Sequence, residues 1–123
     1  TAQQIADYFV DNLPEDGVPY WDFEAPNIPN EEKNTSAAAI AASGVIELSN
    51  LVTNNQAQAK YWNAAQDILT AVSLPAYLAE GTKSSGILLH GVGQHDKAKE
   101  VDVSLIYGDY YFIEALSRYQ ELQ

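Results

Sequence analysis

Apolar residues recur at helical spacing in four stretches of the chain, parted by polar, proline-rich or glycine-rich segments. The first predicts a helix from Ala2 to Leu13, with Ile5, Phe9 and Leu13 four apart on one face and Tyr8 beside them. Pro14 ends it, because proline restricts the residue before it and lacks a donor. The second helix begins after Asn34-Thr35-Ser36, each able to cap, and runs through AAAIAASGVIELSN. Its first two turns carry no charge on any side, which predicts burial on every face. The third spans Ala57 to Val72, with Tyr61, Ala65, Ile68, Leu69 and Val72 in one stripe. Ser73-Leu74-Pro75 interrupts it, and PAYLAE reads as a further turn with Pro75 at a first helical position. A fourth helix starts near Asp109 and puts Phe112, Ile113, Leu116 and Tyr119 on one face.

The connections alternate in character. Helices two and three are joined by a short polar turn, VTNNQ, whereas PEDGVPYWDFEAPNIPNEEKN separates helices one and two, and the link from three to four is longer still. Long loops inside compact domains are usually functional. Both of these end at the start of an inner-looking helix, so alternation puts them at one end of a helical stack. The expected fold is all-α, built of helical hairpins around a common axis, with the working face at the long-loop end. Within the second long loop, the ILL of GILLHGVGQH reads as a short strand or tight hairpin element.

Composition removes several function classes. Seventeen acidic residues against six Lys and Arg give a formal charge of −11, so a phosphate-binding surface for nucleic acid or an anionic membrane is not expected. The apolar stretches are too short to span a bilayer. No cysteine is present, which excludes disulfides and thiolate metal sites without fixing the compartment; a bacterial cytoplasmic or periplasmic protein fits equally. Methionine is absent even from position 1, and TAQQIADYF opens like a helix rather than a leader, so a fragment is expected.

The candidate chemistry lies in the loops. In GVPYWDFEAP, Tyr20 and Trp21 beside Asp22 and Glu24 have the makings of a sugar platform: ring faces stack on CH surfaces while carboxylates accept from hydroxyls. The plain alternative makes Trp21 a buried loop anchor and Asp22 the cap of a turn. In the second loop, His90 and His95 are candidates for anion binding or proton transfer. Two histidines five apart, with no third fixed ligand, form a weak metal signal. HGVG has no helix after it and does not resemble a phosphate cradle. At the start of the fourth helix, Gly108 permits a backbone angle other residues resist, Asp109 caps, and Tyr107 projects at the junction.

Taken together and in order, PEDGVPYWDFEAP, NTSAAAIAASGVIELS, GILLHG and VSLIYGDYYFIEALSRY resemble the C-terminal third of the unsaturated glucuronyl hydrolases, family 88 of the glycoside hydrolases. The resemblance covers the whole chain. It implies that residues 1–123 are the C-terminal portion of a single (α/α)6-barrel domain, about two of its six helical hairpins. It implies a substrate ending in a 4,5-unsaturated uronic acid, as released by polysaccharide lyases. An aspartic acid protonates the vinyl ether, water adds at C5, and the hemiketal collapses. It implies no metal or organic cofactor. The family's catalytic aspartates belong to earlier hairpins, so no catalytic residue is expected here.

What the resemblance assigns to this segment is a wall of the cleft. Trp21, His90 and Tyr107 are the expected substrate-binding residues; Asp22, Gly108 and Asp109 are expected to organise loops. Two departures stand out. The family usually has Arg-Asp before the second helix, where this chain has Lys33-Asn34, and some relatives have a tyrosine where Gly93 stands. Local cations for a uronate would come from Lys33, Lys83, Lys97 and Lys99. A non-catalytic helical binding or scaffold fragment of the same fold is the alternative. In either case the chain is expected to associate with the missing N-terminal segment or with itself, because an inner helix alone exposes apolar surface.

Overall fold

The computed structural model describes residues 1–123 and contains four α-helices and one small hairpin. The helices are α1 (Ala2–Asp11), α2 (Thr35–Leu51), α3 (Asn55–Val72) and α4 (Ile106–Leu122). Strands β1 (Gly91–Gln94) and β2 (Lys99–Val103) pair antiparallel across a short 3-10 turn, His95–Lys97. Helix α1 stops at Asp11, short of the expected Leu13, because Leu13 directly precedes Pro14 and is pushed out of helical geometry. Asn34 caps α2 and Asn54 caps α3, each side chain accepting from the backbone N–H three residues on, Ala37 and Ala57.

Helix α2 is the centre of the structure. Ala38, Ala39, Ala42 and Ile46 are fully buried, and the expected α3 stripe of Tyr61, Ala65, Ile68, Leu69 and Val72 packs with them. Helix α4 runs parallel to α2: Gly108 lies on Ser36, and further along Ser43 donates to Glu114 at 2.6 Å and accepts from Arg118 at 3.1 Å. Arg118 also pairs with Glu47 at 3.1 Å. Helix α3 runs antiparallel to both, its Trp62 stacked on Tyr119 of α4 at 4.9 Å. Helix α1 lies outside, tied to α3 by Lys60, which bridges Asp7 and Asp11 at 3.0 Å each. Two parallel inner helices with outer helices antiparallel to them are the hairpin alternation expected from the loop lengths.

Several sequence expectations change. Helix α4 begins at Ile106 with Leu105 at the cap position and no side-chain cap, so Asp109 sits in the first turn and does not cap. Gly108 does not turn the chain. It is helical and buried, and a Cβ there would stand 3.0 Å from Ser36 Cβ and 3.2 Å from Ser36 Cα, so glycine is what lets α4 approach α2. Phe112 packs inward as expected, but Ile113 and Leu116 are half exposed, and Ala115 takes the inner position beside Phe112. The ILL segment is not a strand of the hairpin; Leu88 makes an isolated bridge to Leu78, while GVGQ forms β1. PAYLAE is a turn, closed by Tyr77 and Leu78 N–H groups donating to Leu74 O at 2.9 Å.

Burial of α2 on every face is also corrected. Ile40 is 43% exposed, and Gly44 faces solvent beside it. A groove of about 630 Å³ opens there between α1 and α2, lined by Ile5, Phe9, Ile40, Leu48 and Leu51 among others. On the opposite flank, Ile106, Tyr110 and Ile113 form a bare apolar ridge on α4. No further element of the chain lies over either flank. No helix is long and apolar enough to cross a membrane.

Candidate functional site

The two long loops meet over the N-termini of α2 and α4, as their alternation predicts. Loop one leaves α1, turns at Gly17 and lays Val18 and Pro19 into the core. Gly17 has φ +80°, and a Cβ there would come within 3.1 Å of Ala71 Cβ, so the turn fits against α3 only without a side chain. The loop then folds on itself: Trp21 N–H donates to Glu32 O at 2.9 Å, and Asn34 N–H to Pro19 O at 2.8 Å. Asp22 accepts from Glu24 N–H at 2.8 Å, a local turn that leaves it organising the loop.

Loop two is tied down at the same end. Thr35, the first residue of α2, donates its N–H to His90 O at 3.1 Å and its hydroxyl to Leu89 O at 2.6 Å. Asn34 binds Val92 in both directions: its amide donates to Val92 O at 3.3 Å and its oxygen accepts from Val92 N–H at 3.2 Å. An aspartate at this position has no hydrogen to give Val92 O, so the amide is matched to the seam. Asp109 reaches back from α4 and accepts from Ile87 N–H at 3.0 Å and Leu88 N–H at 2.9 Å. Its carboxylate thus organises loop two rather than the helix end. Asp109→Ala leaves both donors without a partner and is expected to cost about 2–3 kcal/mol. Urea unfolding, with hydrogen exchange at Leu88 N–H, measures it.

At the seam, Trp21 is half-buried and stacks flat on His95, centroids 3.7 Å apart and rings within 5°. Its Nε1–H donates to Glu31 at 2.6 Å, and His95 Nε2 meets Glu32 at 3.1 Å. Trp21 is therefore neither a core anchor nor a bare platform; one ring face is already covered by the hairpin. It lines a cavity of about 360 Å³ with Asn34, Gly93, His95 and Lys97. Glu31, Glu32 and His95 bring potential metal-ligand atoms within 4.8 Å of one another, and one oxygen of each carboxylate is engaged by Trp21 or His95.

A second cavity, about 400 Å³, lies on the other side of loop one and is lined by Asn30, Lys33, Tyr77, His90 and Asp102 among others. His90 has φ +60°, unusual for a side-chain-bearing residue, and its Nδ1 pairs with Asp102. The ring stands edge-on to Tyr77 at 5.9 Å. Behind it, Asp16 accepts from Tyr77 Oη–H at 2.6 Å, Val18 N–H at 3.0 Å and Lys33 Nζ at 3.1 Å. Lys33 also lies over the Tyr20 ring at 3.8 Å. Of the four lysines considered for a uronate, Lys33 is thus engaged, while Lys83, Lys97 and Lys99 are exposed.

Burial opposes ionisation of Asp16, yet the bonds from Tyr77, Val18 and Lys33 outweigh it and hold the carboxyl below its usual range. Burial, reinforced by the bond to Asp16, pushes the Tyr77 hydroxyl far up. The folded-state value of Asp16 lies below its unfolded one, so its stabilisation is complete above the unfolded value near pH 4. It is lost as pH falls through the lower folded value. In Tyr77→Phe, the Asp16 carboxyl is expected to titrate at higher pH, and acid unfolding to begin earlier. Carboxyl NMR across pH 2–6 reads both.

Tyr107 stands apart from these cavities. It projects from the first turn of α4, more than a third exposed, and its hydroxyl is held above its ordinary value by burial and by the Glu100 carboxylate. The structure therefore brings Trp21 and His90 to two sides of loop one and leaves Tyr107 outside both cavities, within reach of the Glu100 carboxylate of β2. Sequence reading missed Asp16, Glu31, Tyr77 and Asp102. Each is defined by a partner ten or more residues away, for which spacing carries no signal.

No protein-family model matches the chain. Among curated proteins, it is 43% identical over 113 residues to an unsaturated glucuronyl hydrolase of Formosa agariphila, covering 91% of this chain and 27% of that one. A solved unsaturated glucuronyl hydrolase specific for heparin superposes with a TM-score of 0.89 at 39% identity, over 98% of this chain and 32% of the other. A Streptococcus agalactiae unsaturated glucuronyl hydrolase variant, solved in complex with dGlcA-GalNAc6S, gives 0.82 at 32% identity, over 97% of this chain and 32% of that one. The chain spans 27–32% of the length of the curated relatives it matches. With helices arranged as part of an α/α barrel, and relatives named unsaturated glucuronyl hydrolase or unsaturated chondroitin disaccharide hydrolase matching nearly all its residues, the chain is homologous to about a third of the length of the unsaturated glucuronyl hydrolases.

Proposed function

We propose that this chain is the C-terminal part of a glycoside hydrolase that removes 4,5-unsaturated uronic acid from lyase-generated oligosaccharides by hydrating the vinyl ether. The observation that carries the reading is the convergence of both long loops over the N-termini of parallel α2 and α4, in a chain whose relatives are named as hydrolases of unsaturated glucuronyl groups or unsaturated chondroitin disaccharides. The segment supplies barrel helices and one wall of the cleft, with Trp21, His90 and Tyr107 as substrate contacts. Asp22 and Asp109 are spent on backbone N–H groups. The acid that protonates the alkene comes from elsewhere in the barrel. The α1–α2 groove and the α4 ridge are the two flanks on which neighbouring hairpins of the same barrel pack.

Ultraviolet absorbance of the conjugated alkene tests this. The 123-residue chain alone is expected to leave an unsaturated uronyl disaccharide intact. Grafted behind the N-terminal part of the F. agariphila relative, in place of that protein's own segment, it is expected to support consumption. A chain active alone overturns the placement of the acid; a folded but inactive graft overturns the function.

A further inference from the structure

The second cavity has a chemical character that the family relationship does not specify. Its polar lining is rich in acceptors: Glu31, Glu32 and Asp102 all face it. Its one lysine, Lys33, is committed to Asp16 and Val18 O at 3.1 and 3.0 Å. A carboxylate or sulfate brought there meets three carboxylates and no free cation. A sugar hydroxyl, by contrast, meets groups that accept its proton.

His90 decides whether the imidazole joins them. Its backbone is pinned by Thr35 N–H and its ring by the edge contact with Tyr77, whose own hydroxyl is fixed by Asp16. Asp102 sits on Nδ1, and no protein group bonds Nε2. A carboxylate on Nδ1 selects the tautomer with the hydrogen there, which leaves a lone pair on Nε2. We propose that Asp102 is a positioning residue that holds His90 in this tautomer, so that Nε2 accepts from a hydroxyl of an uncharged sugar. This rests on the saccharide-cleft reading above, and it assigns the cavity to the neutral part of the substrate rather than to the uronate.

Histidine-labelled chain tests it directly, because the protein has only two histidines and His95→Gln assigns the other. Long-range proton–nitrogen NMR at pH 8 is expected to show His90 as a single Nδ1–H tautomer. Asp102→Ala is expected to give a mixture dominated by Nε2–H, and Asp102→Glu to restore the native form. Methyl glucoside is expected to shift Nε2 of His90 in the native chain and not in Asp102→Ala; glucuronate is expected to leave it unmoved. A native Nε2–H tautomer, an unchanged spectrum in Asp102→Ala, a response to glucuronate, or no response to methyl glucoside overturns the proposal. The tautomer is read without turnover, so its failure is distinct from an inactive graft.

Discussion

Replacing Phe112 with alanine is expected to destabilise the chain by about 3–5 kcal/mol, whereas Ile113→Ala should change stability by no more than about 0.5 kcal/mol. Both residues look alike in sequence, apolar neighbours in the first turns of α4. Phe112 is 4% exposed within the cluster formed with α2 and α3, while Ile113 is 50% exposed on the bare ridge. Removing the phenyl ring leaves a cavity in a core cluster rich in alanine, whose small side chains cannot move in to fill it. Urea denaturation midpoints of the two variants measure the difference. Equal losses would place α4 the other way round, with Ile113 inward.

The second large effect concerns Gly108. Gly→Ala in an ordinary helix interior gains up to about 1 kcal/mol from backbone entropy. Here the new Cβ meets Ser36, and Cα of that residue belongs to the first turn of α2, which is itself fixed by Asn34, Leu89 and His90. Gly108→Val adds two further carbons to the same contact and is expected to cost about 2–3 kcal/mol through overpacking. The strain falls where the two inner helices enter the loop seam. Hydrogen exchange at Val92 N–H, bonded to Asn34, should therefore rise more than exchange at buried α3 amides. A stabilised Gly108→Val would mean that α4 does not approach α2 as closely as described.

These two residues also show what was legible in the sequence. The α3 stripe could be read because a helix packed along one side repeats every turn, and Tyr61, Ala65, Ile68, Leu69 and Val72 obey that repeat. A cap within Asn34-Thr35-Ser36 and the shared end of the long loops followed from local chemistry and from counting; which of the three caps did not. On α4, periodicity grouped Phe112 with Ile113 and Leu116, but it cannot say which part of an apolar arc another helix covers. Gly108 was misread because a glycine before an aspartate looks like a turn; its reason is Ser36, 72 positions earlier in this sequence. Sequence reading gives Asp109 a helix cap and a loop-organising role, and cannot choose between them, because its partners Ile87 and Leu88 depend on how loop two returns across the helix. The His95 stack on Trp21 was invisible for the same reason.

The exposed flanks connect fold to function. The groove beside Ile5 and Ile40 and the ridge of Ile106, Tyr110 and Ile113 lie on either side of a well-packed α2–α3–α4 core. Uncovered apolar surfaces of this kind call for neighbours. The seam of Trp21, His95, His90 and Asp102 is by contrast polar, hydrogen-bonded within the chain and concave, the character the proposed saccharide wall calls for.

The most direct test is a crystal structure of the F. agariphila graft with an unsaturated disaccharide bound. The sugar is expected over the N-terminal ends of α2 and α4, in van der Waals contact with Trp21 or His90. A disaccharide bound with no atom of loop one or of the 86–105 segment in contact would contradict the account.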